Sequence, residues 1–148
     1  MNNYQEKSSI FGLEEKTVAI ILWIISILTA SSNGGFSIIA ISLAVLLFEK
    51  KSNYVRNHAS QLLALSLVVF VMNIIVSAVL GVSFSLFYWS SITAIFASAT
   101  SSIILFAYSL FKFALNLLGL VRAAKYEKCT LPIIGYWGQA LESMIKPI

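Results

Sequence analysis

The chain has 148 residues, of which 59% are hydrophobic and only 11% are charged, and its mean hydropathy is +0.89. Soluble domains carry roughly 25% charged and roughly 45–50% apolar residues, so the composition excludes an ordinary soluble domain and indicates an integral membrane protein. The net charge of +4 comes from loop lysines and arginines, which are typical of loops beside anionic lipid rather than of nucleic-acid binding.

The first 48 residues predict a cytoplasmic segment followed by a short helical hairpin. Residues 1–16 are charged and lack a secretory cleavage site. The uncharged stretch 17–48 would form a helix of about 48 Å, longer than a hydrocarbon core of about 30 Å. Ser-Ser-Asn-Gly-Gly at 31–35 predicts a break, which leaves segments at about 17–31 and 35–48. The hairpin crosses with residues 12–16 and 49–51 drawn in at the interface, crosses a thinned bilayer, or enters without crossing. All three cases return the chain to its starting side.

Residues 59–80 have the length of one span, and Gly81-Val82-Ser83 predicts a break before a long last helix at about 91–122. Dividing that last region into two spans would put Arg122 and the lysines after it opposite the N-terminal lysines, against the positive-inside tendency. We therefore predict an all-α integral membrane fold, a four-helix transmembrane bundle over 17–122. Both termini are predicted to be cytoplasmic, with a tail at 123–148.

The polar loop before the third segment, EKKSNYVRNHASQ at 49–61, is denser than a turn requires. Arginine and histidine side chains here can reach phosphate headgroups or loop carbonyls. One interpretation is an interfacial anchor that fixes helix depth, and the other is a docking surface for a partner protein. The candidate partner or lipid contacts are Glu49, Lys50, Lys51, Tyr54, Arg56, His58 and Gln61.

Small and polar residues recur at helical spacing on the third and last segments. Small residues let membrane helices approach closely, and an amide can hydrogen-bond across the contact for about 0.6 to 2 kcal/mol. We expect Asn73 to face the last helix or a second copy of the chain. Lys112 is interpreted either as snorkelling to the headgroups or as lining a polar cavity. The candidate helix-packing residues are Ser66, Asn73, Ser77, Ala97, Ser101, Tyr108 and Lys112.

Residues that carry catalytic or metal chemistry are scarce. The chain has no aspartate, no glutamate inside an apolar segment, one histidine and one cysteine. A buried carboxylate pair, a zinc site and the common hydrolase motifs are therefore missing from the sequence. We predict that the protein is not an enzyme and uses no cofactor or metal.

Three stretches carry a family resemblance: GLEEKTVAIILW at 12–23, FEKKSNYVRNHASQ at 48–61 and AAKYEKCTLPIIG at 123–135. Together they resemble the Tic-twenty-like family of small bacterial membrane proteins, which is related to a chloroplast inner-envelope import component. Asn57 departs from that pattern, which commonly has phenylalanine there. The resemblance implies a bacterial cytoplasmic-membrane protein without an assigned reaction.

Two functions are consistent with these features. The first is a non-catalytic interaction or accessory subunit, which binds other membrane-protein subunits or a second copy. The alternative is a translocation or channel component for peptides, ions or small solutes. A channel requires a continuous polar lining, whereas the apolar segments hold mainly serine, threonine, Asn73, Asn116 and Lys112. The sequence therefore favours the accessory subunit.

Overall fold

A computed structural model describes residues 12–29, 35–87 and 91–147, and the regular structure in those ranges is helical. This confirms the all-α prediction. The last helix, α5, lies in the segment predicted as a tail. The helices in chain order are α1 (Glu15–Thr29), α2 (Gly35–Phe48), α3 (Asn53–Phe87), α4 (Ser91–Ala124) and α5 (Gly135–Met144).

Two of these helices are long and apolar enough to cross a membrane, over Asn53–Val82 in α3 and Ser98–Ala124 in α4. Only 28% and 17% of their most apolar stretches are buried within the chain, so most of their apolar surface is left for lipid or other helices. Helices α1 and α2 have 15 and 14 residues, shorter than the roughly 20 residues of a span. The structure thus supports two spans by length, and a bundle of four spans is not confirmed.

The predicted interruptions have different outcomes. Helix α3 continues through Gly81-Val82-Ser83, so the break predicted there is wrong. No neighbouring side chain or distant backbone lies within 4 Å of where a Cβ on Gly81 would sit, and an isolated glycine in an open helical stretch lowers stability without ending the helix. Of the break predicted at 31–35, residues 31–34 lie outside the described residues, and Gly35 begins α2.

The turn between α2 and α3 is closed by side chains. Ser52 Oγ accepts the Val55 N–H at 3.0 Å, which is the bond expected of a serine N-cap. Glu49 Oε1 accepts the N–H groups of Lys51 and Ser52 at 3.0 and 3.1 Å. These bonds let the chain reverse and start α3, in which Arg56, Asn57 and His58 are buried.

Helix α3 has a buried half and an exposed half. Every residue from Val55 to Ser66 is buried between α1, α2, α4 and α5, whereas residues 71–75 are all exposed. We call the packed end the base, and we call residues 67–87 of α3 with residues 91–113 of α4 the arm. Tyr108 OH on α4 donates to the Val69 carbonyl on α3 at 3.0 Å, near the point where the base gives way to the arm.

Helices α1 and α4 approach closely at one glycine. Trp23 is fully buried, and its indole lies so close to Gly119 that an added Cβ there would come within 3.0 Å of the ring. Next to this contact, Ser26 Oγ donates to Asn116 Oδ1 at 2.6 Å. Small residues at such contacts allow membrane helices to pack backbone against side chain.

Gly119→Ala should therefore destabilise the base by about 1–3 kcal/mol, because the new methyl group must displace a packed indole. Gly81→Ala is the matched control, since a Cβ at that position meets open space. Unfolding of both variants in detergent micelles would measure the difference. Equal stabilities for the two alanine variants would contradict the close packing of Trp23 on Gly119.

Candidate functional site

The polar residues predicted as contacts for a partner or for lipid lie in the base, and most of them point inward. Glu49, Arg56, His58 and Gln61 are between 0% and 7% exposed. Lys50 and Lys51 are exposed, and Tyr54 is half-buried. We call four residues of α3 the polar cluster: Arg56, Asn57, His58 and Gln61.

Arg56 joins the ends of two helices. Its Nη1 donates to the carbonyls of Leu46 and Glu49 at 2.7 and 3.3 Å, at the end of α2. Its Nη2 donates to the carbonyls of Ile145 and Glu142 at 2.8 and 3.4 Å, at the end of α5. The last carbonyls of a helix lack partners within the helix and carry partial negative charge. A planar guanidinium with five donors suits both ends at once.

The two amides of the cluster hold the segment that follows α4. Asn57 Oδ1 accepts the Cys129 N–H at 2.8 Å, and Asn57 Nδ2 donates to a Glu142 carboxylate oxygen at 3.2 Å. Gln61 Oε1 accepts the Leu131 N–H at 3.3 Å, and Gln61 Nε2 donates to the Gly135 carbonyl at 3.0 Å. Each amide therefore uses both its donor and its acceptor on the C-terminal part of the chain.

His58 bridges α1 and the segment after α4. Its Nδ1 accepts the indole N–H of Trp23 at 3.0 Å, and its Nε2 lies 3.0 Å from the Glu127 carbonyl. A carbonyl can only accept, so this geometry assigns a neutral imidazole with its hydrogen on Nε2. Both ring nitrogens are engaged. Among the described residues, no group of three histidine, cysteine or acidic side chains could hold a metal ion.

Two stacked tyrosines cover the base at the N-terminal end of α3. The rings of Tyr54 and Tyr126 stack with centroids 4.4 Å apart and planes 14° apart. Tyr54 OH donates to the Ala123 carbonyl at 3.0 Å, and Tyr126 OH donates to a Glu15 carboxylate oxygen at 2.6 Å. Tyr126 adopts a positive φ of 58° where α4 ends. This left-handed residue turns the chain back toward α3.

The structure adds three residues to those predicted from the sequence. Trp23, Asn57 and Tyr126 each complete a bond of the base, and none of them was a predicted contact. Asn57 did carry a signal, because it stood out from the phenylalanine expected in the Tic-twenty-like pattern. Its polar side chain is explained by its two bonds to Cys129 and Glu142.

The predicted helix-packing residues divide between base and arm. Ser66 is buried and donates to the Leu62 carbonyl at 2.7 Å. Asn73 and Ser77 are exposed, so within the described residues neither is covered by α4. The side chain of Ala97 lies outside the described part of the chain. The remaining three lie on α4, where Ser101 is buried, Tyr108 bonds α3, and Lys112 Nζ lies 5.3 Å from the Tyr108 ring centroid.

A protein-family model matches most of the chain. The magnetosome magnetite crystal formation protein family, MamF/MmsF, matches residues 14–137. The chain belongs to this family. It is a bacterial membrane protein, and the resemblance to the Tic-twenty-like family is wrong. The matched range includes the whole polar cluster and its partners up to Gly135, whereas Glu142 and Ile145 lie beyond it. No curated protein and no solved structure matches the chain.

Arg56→Lys should destabilise the base by about 1.5–3 kcal/mol, because an ammonium cannot reach four carbonyls on two helix ends. Lys51→Arg is the matched control at an exposed position, where changes of within about 0.5 kcal/mol are usual. Denaturant unfolding in micelles would give the free energies, and limited proteolysis would show release of α5. A stable Arg56→Lys protein with a protected α5 would contradict the role assigned to the guanidinium.

Cys129 reports whether the C-terminal segment is docked. Burial raises the pKa of its thiol to about 12, despite the opposing effect of Arg122. The folded protein should therefore hold a neutral thiol that reacts slowly with maleimide at about pH 8, near the pKa of a free cysteine. Reaction should speed up on unfolding and in an Asn57→Leu variant, which loses the bond to the Cys129 N–H. A cysteine placed at the exposed Ser143 in a Cys129→Ser background is the control, and equally fast labelling of native Cys129 would refute the docking.

Proposed function

We propose that the protein is a non-catalytic assembly subunit of the magnetosome membrane, which contributes to magnetite crystal formation by binding other membrane helices. Membership of the magnetosome family supports the setting. The single observation that supports the role is the exposed amide of Asn73 on an apolar helix.

Asn73 lies in the part of α3 that the base leaves uncovered. It follows Gln61 by twelve residues, which is about 18 Å along the helix axis. Its neighbours Met72 and Ile74 are exposed apolar residues, so this stretch of the arm has the surface of a helix in hydrocarbon. An amide in hydrocarbon is costly unless it is hydrogen-bonded. A helix from another subunit, or from a second copy, would supply the partner.

A non-catalytic role agrees with the state of the reactive groups in the base. Both nitrogens of His58 are engaged within the chain, and Cys129 is buried. Arg56 is committed to helix carbonyls, so it holds structure instead of a substrate anion. Through these bonds the polar cluster holds α3 in the base, from which the arm extends.

We extend the proposal to membrane topology. Phe36, near the start of α2, packs on Phe70 of α3 with ring centroids 5.0 Å apart, so the start of α2 lies at that level. Helix α3 continues for seventeen residues beyond Phe70, or about 25 Å. Four membrane segments with both termini in the cytoplasm fit this arrangement, with α1 and α2 as a shallow hairpin beside the base.

Asn73→Leu should weaken assembly by about 1 kcal/mol for each interhelical hydrogen bond lost, roughly a fivefold change in an association constant. Ile74→Leu is the matched control, because it changes an exposed apolar neighbour without removing a polar group. Native gel electrophoresis of mildly solubilised magnetosome membranes would give the complex size. Electron microscopy would give crystal size in cells that carry each variant as the sole copy. Unchanged complexes and crystals with Asn73→Leu would contradict the proposal.

A further inference from the structure

The C-terminal segment presents an apolar outer face beside the first turns of α3. Gly135 and Gly138 of α5 are buried against the base, and Leu141 is partly buried there. The opposite side of the segment exposes large side chains that a soluble surface would not retain as a group. They are Ile133, Tyr136, Trp137 and Met144, which are 86%, 78%, 57% and 76% exposed.

Ile133 is held in a conformation that isoleucine rarely adopts. Its φ is 71°, and the Ile134 N–H donates to the Pro132 carbonyl across it at 2.8 Å, which forms a γ-turn. A β-branched residue is strained at positive φ, where glycine or asparagine is at ease. The strain places an apolar side chain at the most exposed point of the turn. Such an arrangement is stabilising only if something apolar covers that side chain.

Hydrogen bonds to α3 fix the height of this turn along the span. Gln61 holds Leu131 and Gly135, so residues 131–135 lie level with the third turn of α3, inside the candidate span Asn53–Val82. Arg56 holds the carbonyl of Ile145. Residues 131–135 lie at the level of Gln61, and Ile145 lies at the level of Arg56. The two levels are five residues, or about 7.5 Å, apart along the axis of α3.

Three lysines lie nearer the N-terminal end of α3 than this apolar face does. Lys125, Lys128 and Lys146 are exposed, and their chain neighbours bond α3 at Tyr54, Asn57, His58 and Arg56. The exposed Glu127 is the acidic residue beside them, while Glu142 accepts from Asn57. An apolar layer with a basic layer several ångströms below it matches the acyl boundary and the anionic headgroups of one leaflet.

We infer that residues 131–146, together with Lys125 and Lys128, form a membrane-interface anchor, in which Ile133, Tyr136 and Trp137 enter the acyl region next to the headgroups and the three lysines bind anionic headgroups. Aromatic residues are favoured at this depth because their rings are amphipathic. Lipid is the occupant that the geometry favours over a second copy, because the apolar face lies alongside a membrane span of the same chain. The segment predicted as a cytoplasmic tail is thus part of the membrane-bound structure.

Depth-dependent quenching of Trp137 tests the anchor. The full chain and a Trp137→Phe variant are reconstituted in vesicles of equal parts phosphatidylcholine and phosphatidylglycerol. The phosphatidylcholine carries bromine on its acyl chains, either near the headgroup (shallow) or near the chain end (deep). The difference between the two proteins isolates Trp137, since Trp23 and Trp89 are present in both. We expect strong quenching by the shallow bromine, weak quenching by the deep bromine and little quenching by iodide in the buffer.

Each other outcome overturns the anchor. Quenching by iodide alone places Trp137 in water, quenching by the deep bromine alone places it in a span, and protection from all quenchers indicates a covering protein or second copy. Ile133→Asn provides a second variant that should fold, because asparagine tolerates positive φ. It should increase quenching of Trp137 by iodide, and an unchanged profile would refute the role of Ile133.

The lysines are tested in the same vesicles. Replacing Lys125, Lys128 and Lys146 with glutamine should reduce shallow quenching in the mixed vesicles and should have little effect in vesicles of phosphatidylcholine alone. The second condition is the control, because it contains no anionic headgroup. Equal loss of quenching in both vesicles, or no loss in either, would refute binding of anionic headgroups by these lysines.

Discussion

The base depends on one requirement, that backbone groups freed at helix ends must be satisfied where water is scarce. Arg56 meets it for α2 and α5 together, with one guanidinium on carbonyls of both helices. Because these carbonyls are fixed, α2 and α5 lie on either side of α3 at a defined height. Asn57, His58 and Gln61 then each make one bond to the segment that joins α4 to α5. The polar loop thus holds the helices of the base together from inside, and the buried core of α1, α2 and α3 packs next to it.

Much of the fold could be predicted from the sequence, because apolar length and charge segregation reflect the bilayer directly. The all-α class follows from those features, whereas α3 begins at Asn53, inside the polar loop, and continues past the predicted break. The role of 49–61 could not be predicted, since Arg56 and His58 bond carbonyls up to 89 residues away, and a carbonyl has no side-chain signature. Helix α5 was missed because ten residues next to a glycine and a proline resemble a loop. The break predicted at Gly81 is wrong because an isolated glycine with open space around it does not end a helix.

Two of the three motifs that suggested the wrong family are halves of one structural unit. FEKKSNYVRNHASQ supplies the side chains of the polar cluster, and AAKYEKCTLPIIG supplies the backbone groups that those side chains bind. Short polar motifs of this kind reflect the hydrogen bonds that hold a small membrane bundle together. They do not identify what the bundle does, which depends on the site and not on the fold. The match over 14–137 also covers the apolar helices, and it assigned the family where the motifs did not.

The C-terminal partners of the polar cluster have a consequence for biogenesis. Synthesis proceeds from the N-terminus, so α3 is made before residues 127–145 are. Until then Asn57, His58 and Gln61 lack the backbone groups that they bind in the finished protein. Unpaired polar groups beside a membrane span are costly. The mature packing of α3 therefore follows the synthesis of residues 127–145, which supply those backbone groups.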